Sequence, residues 1–201
     1  HRLADYFDFA FLDTGALYRA VALTLLRQGG SADDEAGAIA AARDFAAKVA
    51  LDLLDDPDLR SEPVSQAASK VSAIGEVRRI LFDFQRNFTQ TPPNNAPGAV
   101  LDGRDIGTVI CPEADVKLFL KASPEVRAER RRMELLTRGI ESDYETVLTE
   151  MKQRDARDLT RAAAPLKAAP DAFILDTSCL SIEEVFRAAL EKVMAHMATG
   201  Y

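Results

Sequence analysis

A chain of 201 residues with 47% apolar side chains holds enough material for one folded domain, or for one domain carrying an inserted subdomain. Its formal charge of −7 argues against a protein built to coat nucleic acid or an anionic membrane. No apolar run approaches the ~18 residues needed to span a bilayer. No signal-peptide pattern opens the chain, and Cys111 and Cys179 make neither a spaced metal set nor a disulfide framework. A globular protein of a reducing compartment is expected.

Leu3, Tyr6 and Phe7 sit at helical spacing and read as the tail of a helix whose start is not present. Phe9 to Leu12 is a short apolar run ending at Asp13-Thr14-Gly15, which predicts a buried strand and a turn. Gly15 to Arg27 has helical periodicity closed by Gly29-Gly30. An Ala-rich helix is predicted over Asp33–Lys48, and Val49, Leu51 and Leu53 alternate as a short strand before the turn at Asp55–Asp58. Two helices follow, over about Val64–Ser72 and Glu76–Thr89, and then Pro92–Gly98 reads as a loop with neither helical nor strand character.

The second half alternates more regularly. Strands are predicted at Ala99–Leu101, Val116–Leu120 and Phe173–Leu175. Helices are predicted from Ser123 to about Thr137, over Tyr144–Arg157, and from Ser181 onward. Strands alternating with helices predict an α/β fold with a doubly wound parallel sheet covered on both faces. In such sheets ligands bind beyond the carboxyl ends of the strands. Three polar clusters stand there: Asp13-Thr14-Gly15, Asp102-Gly103-Arg104-Asp105 and Asp176-Thr177. The last is ordinary turn chemistry, whereas two carboxylates around an arginine at one strand end call for a partner.

Charge is crowded in one window. Eight of the eighteen arginines lie between Arg127 and Arg161, a stretch of local charge +1 in a chain whose remainder totals −8. Arg154, Arg157, Asp158 and Arg161 are spaced to share one helix face, and Arg127, Arg130, Arg131 and Arg138 form a second set. Any one of them could be a solvated helix residue. Together with Arg104 they indicate a polyphosphate site, since guanidinium groups present forked donors to phosphate oxygens.

These residues fall into three recognisable motifs. Leu12–Arg19 resembles the monophosphate-binding segment of bacterial cytidylate kinases, Leu101–Val109 resembles that family's central motif, and Arg154–Arg161 with Ala164-Pro165-Leu166 resembles the motif after its lid. The resemblance runs in order along essentially the whole chain. It implies a P-loop nucleoside-monophosphate kinase fold, with a core over residues 1–30 and 99–201, an acceptor-binding subdomain over 31–98 and a lid region over 124–160. By the same resemblance Thr14, Tyr18, Arg19 and Arg104 surround the monophosphate, Ser69, Arg78 and Asp105 meet the cytosine ring, and Arg154 and Asp158 meet the ribose. Arg161, with Arg127, Arg130 and Arg131, is implied to contact the moving phosphate or those of ATP. Arg157 is counted with these catalytic arginines.

The chemistry suits that division. A carboxylate accepts from the exocyclic amine of cytosine while an arginine donates to N3 or O2, and uracil reverses two of those groups. Phosphoryl transfer asks for positioning and charge neutralisation, which needs no nucleophilic Cys or His. The two histidines, His1 and His196, stand at the chain ends as spectators. The implied reaction is transfer of the γ-phosphate of Mg2+-bound ATP to CMP or dCMP by a cytoplasmic monomer that binds small nucleotides, not nucleic acid or membrane. Two alternatives remain open: a kinase preferring UMP, and a nucleotide-binding module without an ATP site.

One family feature is absent from these residues. None of the ten glycines is followed by lysine, so the phosphate loop G-x-x-x-x-G-K-[ST] does not occur. In the family it lies between the first strand and the first helix. One strand, the loop and most of a helix, on the order of 20 residues, are expected upstream of His1. A polypeptide without them is expected to be inactive in ADP release. Pro92–Gly98 reads as a surface insertion longer than in relatives.

Overall fold

The computed structural model describes residues 1–48, 54, 56–160 and 165–199. Helix α1 (Arg2–Phe7) stops where Asp8 turns left-handed at φ 55°. Strand β1 (Ala10–Asp13) leads directly into α2 (Thr14–Arg27), because Asp13 serves as both last strand residue and N-cap, its carboxylate accepting from the Ala16 N–H at 3.2 Å. Gly29, at φ 76°, closes that helix as the double glycine predicts.

The segment that follows is helical. α3 (Glu35–Lys48), a 3₁₀ turn at Pro57–Arg60, α4 (Glu62–Val71) and α5 (Gly75–Gln90) pack on α2 around one apolar cluster. Leu17, Val21 and Leu25 of α2 meet Ala38, Ala41 and Phe45 of α3, Val64 and Val71 of α4, and Val77 and Leu81 of α5. Burying each large aliphatic side chain stabilises by about 1.5–3 kcal/mol. The helices of residues 31–98 therefore pack on α2 through one apolar cluster that also reaches Leu12 and Leu101 of the strands. Arg27, at the end of α2, reaches Asp56 (2.8 Å) and Asp58 (3.0 Å) and ties the 3₁₀ turn to it. The strand predicted at Val49, Leu51 and Leu53 lies outside the described residues.

Pro92–Gly98 departs from a plain loop, since Pro93–Asn95 makes one 3₁₀ turn. Within it Asn94 and Asn95 adopt positive φ, 57° and 54°, a conformation asparagine tolerates better than most residues. β2 (Ala99–Asp102) then runs parallel to β1 in the register Ala10 to Ala99 through Asp13 to Asp102, so both strands end level with each other.

Ile106–Ile110 forms a π-helical turn that periodicity did not indicate. The N–H groups of Thr108, Val109 and Ile110 all point at the carbonyl of Asp105, and Cys111 closes the turn on Ile106. Arg86 of α5 fastens it by donating to the Ile110 carbonyl (2.7 Å) and to Glu113 (2.5 Å).

β3 (Leu118–Lys121) pairs in parallel with β4 (Phe173–Asp176). Between them stand α6 (Pro124–Thr137), N-capped by Ser123, and α7 (Tyr144–Thr160), and α8 (Ile182–Thr199) closes the described chain. The described strands thus form two two-stranded parallel sheets within a mixed helix and strand fold. α6 and α7 share a small apolar cluster of their own, centred on Ala128, Leu135, Val147 and Leu148.

Candidate active site

Two cavities open beyond the carboxyl ends of β1 and β2. The smaller, about 250 Å³, lies between the strand ends, α2, α4 and α5, with Arg154 and Asp158 of α7 at its rim. The larger, about 400 Å³, lies between α4 and the α6–α7 pair. Asp13, Arg19, Arg104 and Arg154 line both.

The level strand ends set the floor of the smaller cavity. Thr14 donates its hydroxyl to the Asp102 carbonyl at 2.8 Å, which locks the start of α2 onto the end of β2. Gly103 passes beneath it. A Cβ at that position would collide with Thr14 Oγ1 and stand 2.8 Å from the Ile106 side chain, so only glycine fits. Side by side, Asp13 and Asp102 repel, and desolvation together with Asp13 pushes the Asp102 carboxyl above its usual value.

Three guanidinium groups, of Arg19, Arg104 and Arg154, stand above this floor. Arg19 turns back to Asp13 at 2.6 Å, and its buried Nε–H meets no acceptor among the described residues. Arg104 donates to Asp158 at 3.1 Å, and Arg154 lies 4.0 Å from the same carboxylate. Desolvation first, and then the nearby positive charges of Arg104, Arg19 and Arg131, push the Arg154 guanidinium below its ordinary value, against the pull of Asp158. A guanidinium does not discharge near neutral pH. A bound anion would relieve the crowding.

At the other end of the cavity Arg78 and Asp105 form a buried ion pair, 9% and 5% exposed at their side chains. Arg78 also donates to the Ser72 carbonyl at 3.1 Å and lies over the Tyr18 ring at 5.3 Å. An apolar ring, a fixed donor and a fixed acceptor are what a heteroaromatic base needs.

The larger cleft gathers Arg127, Arg131 and Arg157. Arg127 grips Asp155 with both terminal nitrogens and donates Nε to the Ala122 carbonyl at 3.1 Å. Arg131 pairs with Glu134 (3.0 Å) and reaches across the cleft toward Glu62 (3.7 Å). Arg157 crosses it too, donating Nε to the Ser69 hydroxyl at 3.0 Å. Desolvation and the Glu62 charge push Glu150, on the same cleft, upward.

Thr14, Tyr18, Arg19, Arg78, Arg104, Asp105, Arg154 and Asp158 therefore converge on the smaller cavity. Ser69 lines the larger cleft and not the smaller cavity. Arg130 lines neither. It donates to the Thr177 hydroxyl (3.0 Å), the Thr177 carbonyl (2.6 Å) and the Leu180 carbonyl (3.1 Å), holding the turn between β4 and α8. Arg161 lies outside the described residues. The sequence reading did not single out Ser65 and Ser72, which line the smaller cavity, or Asp155. The spacing of Ser65, Ser69 and Ser72, at i, i+4 and i+7 on one face of a predicted helix, was the available signal.

Forked donors around one cavity, a buried donor–acceptor pair on its wall, and a second arginine-lined cleft suit an enzyme of nucleotide phosphoryl transfer. The family model described as cytidylate kinase matches residues 1–195, and the chain belongs to that family. It is 53% identical over 194 residues to a cytidylate kinase of Rhodopseudomonas palustris (strain BisB18), covering 96% of this chain and 88% of the relative. It is 51% identical over 197 residues to that of Rhodospirillum rubrum, covering 97% and 89%. With the Bradyrhizobium diazoefficiens cytidylate kinase the identity is 50% over 194 residues, covering 96% and 88%.

Proposed function

We propose that the smaller cavity receives CMP or dCMP and that the larger cleft receives the phosphates passing between it and ATP. As a member of its family the protein is a kinase that moves the γ-phosphate of ATP to CMP, giving ADP and CDP. The observation that carries the acceptor assignment is the buried Arg78–Asp105 pair beside the Tyr18 ring. Asp105 accepts from the cytosine amine, and Arg78 donates to N3 or O2. Arg19, Arg104 and Arg154 take the monophosphate, Thr14 holds their floor, and Asp158 meets the ribose.

Arg127, Arg131 and Arg157 then face the transferred group. In-line attack by a CMP phosphate oxygen on the γ-phosphorus spreads charge over the equatorial oxygens, which forked donors neutralise. The α6–α7 pair acts as a lid over residues 124–160, and its contacts with Ser69 and Glu62 keep water from the reacting phosphates. Magnesium arrives with ATP as part of the substrate.

The finer fold reading joins both parallel strand pairs in one doubly wound sheet of the P-loop nucleoside-monophosphate kinase type. In it, residues 1–30 and 99–201 form the core and 31–98 the acceptor subdomain. We also place the protein in the cytoplasm as a monomer working on free nucleotides. In support, the net charge is −7, and no helix among the described residues is long and apolar enough to cross a membrane. Calorimetric titration with CMP, dCMP, UMP and AMP tests the acceptor assignment. CMP and dCMP are expected to bind most tightly, and tighter binding of UMP would overturn it.

A further inference from the structure

Two arginines of α5 grip the segment after β2. Arg78 pairs with the Asp105 carboxylate, and Arg86 donates to the Ile110 carbonyl at 2.7 Å and to Glu113 at 2.5 Å. They stand eight residues apart on the helix, about 12 Å of rise, and their acceptors bracket the π-helical turn. That turn is built on Asp105 itself, whose carbonyl accepts from the N–H groups of Thr108, Val109 and Ile110. The Ile110 carbonyl, at the open end of the turn, takes its donor from Arg86. Just beyond, Lys117 donates to the Pro112 carbonyl and to Asp171 (2.5 Å), which ties the segment to the residues before β4.

The turn thus holds the Asp105 backbone, and Arg86 holds the turn to the helix that carries Arg78. We propose that Arg86 is a positioning residue for acceptor recognition, keeping the Asp105 carboxylate in register with Arg78 and aimed at the cytosine amine. Arg86 lines neither cavity, so it acts only through Asp105. Without it the Arg78–Asp105 pair becomes a pivot, and carboxylate and guanidinium can swing together away from the base. Uracil presents a carbonyl where cytosine presents its amine, so it gains nothing from a well-aimed carboxylate. The loss therefore falls on CMP and spares UMP. The proposal rests on reading the smaller cavity as the acceptor-base site.

Calorimetric titration with CMP and UMP, well below the melting range, tests it in Arg86→Met, Arg86→Lys, Asp105→Asn and the double variant Arg86→Met with Asp105→Asn. Arg86→Met is expected to weaken CMP binding by about three- to tenfold, the range of one lost hydrogen bond, and to leave UMP within about twofold. Arg86→Lys keeps the charge but has no fork to span two acceptors, and is expected to shift the preference the same way by less. In Arg86→Met, or in Arg86→Lys should Arg86→Met not fold, an unchanged CMP preference or equal weakening of both ligands would overturn the proposal. Once Asp105→Asn has removed the carboxylate, Arg86→Met should change the preference no further, and additive effects would count against it. Arg130→Ala, which removes bonds to carbonyls at another turn, serves as the comparison for lost stability alone. A shift in its CMP preference equal to that of Arg86→Met would also overturn the proposal. If Asp105→Asn narrows the CMP preference while Arg86→Met does not, the proposal fails and the base-site reading stands. If Asp105→Asn leaves the preference intact, the base-site reading falls and takes the proposal with it.

Discussion

Arg127 and Asp155 join the base of α6 to α7 through a two-point ion pair, Nη1 to Oδ1 at 2.9 Å and Nη2 to Oδ2 at 2.6 Å. Both side chains are about three-quarters buried, and few apolar side chains hold these helices together. The arginine's hydrogen bonds pull the Asp155 carboxyl below its ordinary value, outweighing its desolvation. The native state therefore binds this proton less readily than the unfolded chain does. The stabilisation is fully present above the ordinary carboxylate pKa, about 4, and is lost as pH falls through the lower native value.

Asp155→Asn is accordingly expected to lower Tm at pH 7 by about 2–4 °C, the effect of about 1 kcal/mol in a chain of this size. As pH falls below 4 the gap between the variant and the parent should narrow progressively. Thermal melts from pH 3 to pH 7 check both parts, and a constant gap at every pH would contradict the pairing.

Breaking the Arg78–Asp105 pair should be costly because one charge is left buried without its partner. Arg78→Met is expected to lose about 3–5 kcal/mol of stability in urea denaturation. Combining it with Asp105→Asn should recover part of that loss while CMP binding remains abolished. A double variant no more stable than Arg78→Met would show that no such pair exists.

The positive crowding at Arg154 predicts that CMP binding depends strongly on salt. Raising the salt from about 0.01 M to 0.15 M shortens the screening length from about 30 Å to 8 Å and should weaken CMP binding several-fold. Arg154→Gln should bind CMP at least about tenfold more weakly, as expected when a charge-assisted hydrogen bond of ~1.5 kcal/mol or more is lost. Its salt dependence should be shallower, since one positive charge is gone. Calorimetry at the two salt concentrations measures both.

Arg130 is expected to act on stability alone. Its three bonds to Thr177 and Leu180 hold the turn that starts α8. Arg130→Ala should lower Tm by several degrees and leave the dissociation constant for CMP within about twofold, well under the change from one lost hydrogen bond. A larger loss of CMP affinity would place this side chain in the acceptor site.

Much of this architecture was legible in local pattern. Asp13 before Gly15, Ser123 before Pro124 and the double glycine after Arg27 marked helix ends because capping depends on neighbours in sequence. The pairing of Arg78 with Asp105, 27 residues apart, was approached only through the family resemblance, and no periodicity could have supplied it. The π-turn at Ile106–Ile110 was not legible either. Its bonds converge on one carbonyl, and Arg86 from another helix secures them. The hydrogen-bond partners of Arg130 and Ser69 were not legible for a related reason. A helix face can be read from spacing, but the partner a guanidinium or hydroxyl chooses depends on what tertiary structure brings within 3 Å.

The contact between Thr14 and Gly103 reaches beyond this one chain. The threonine hydroxyl holds the β2 carbonyl only because the next residue has no side chain to displace it. Position 103 is not free to take a side chain while Thr14 stays in place. A larger residue at 103 would require a smaller one at 14 and a new anchor for the first turn of α2. Across descendants of such a sequence the two sites should be inherited as a unit, and a lineage that changed one would carry the trace of that change in the other.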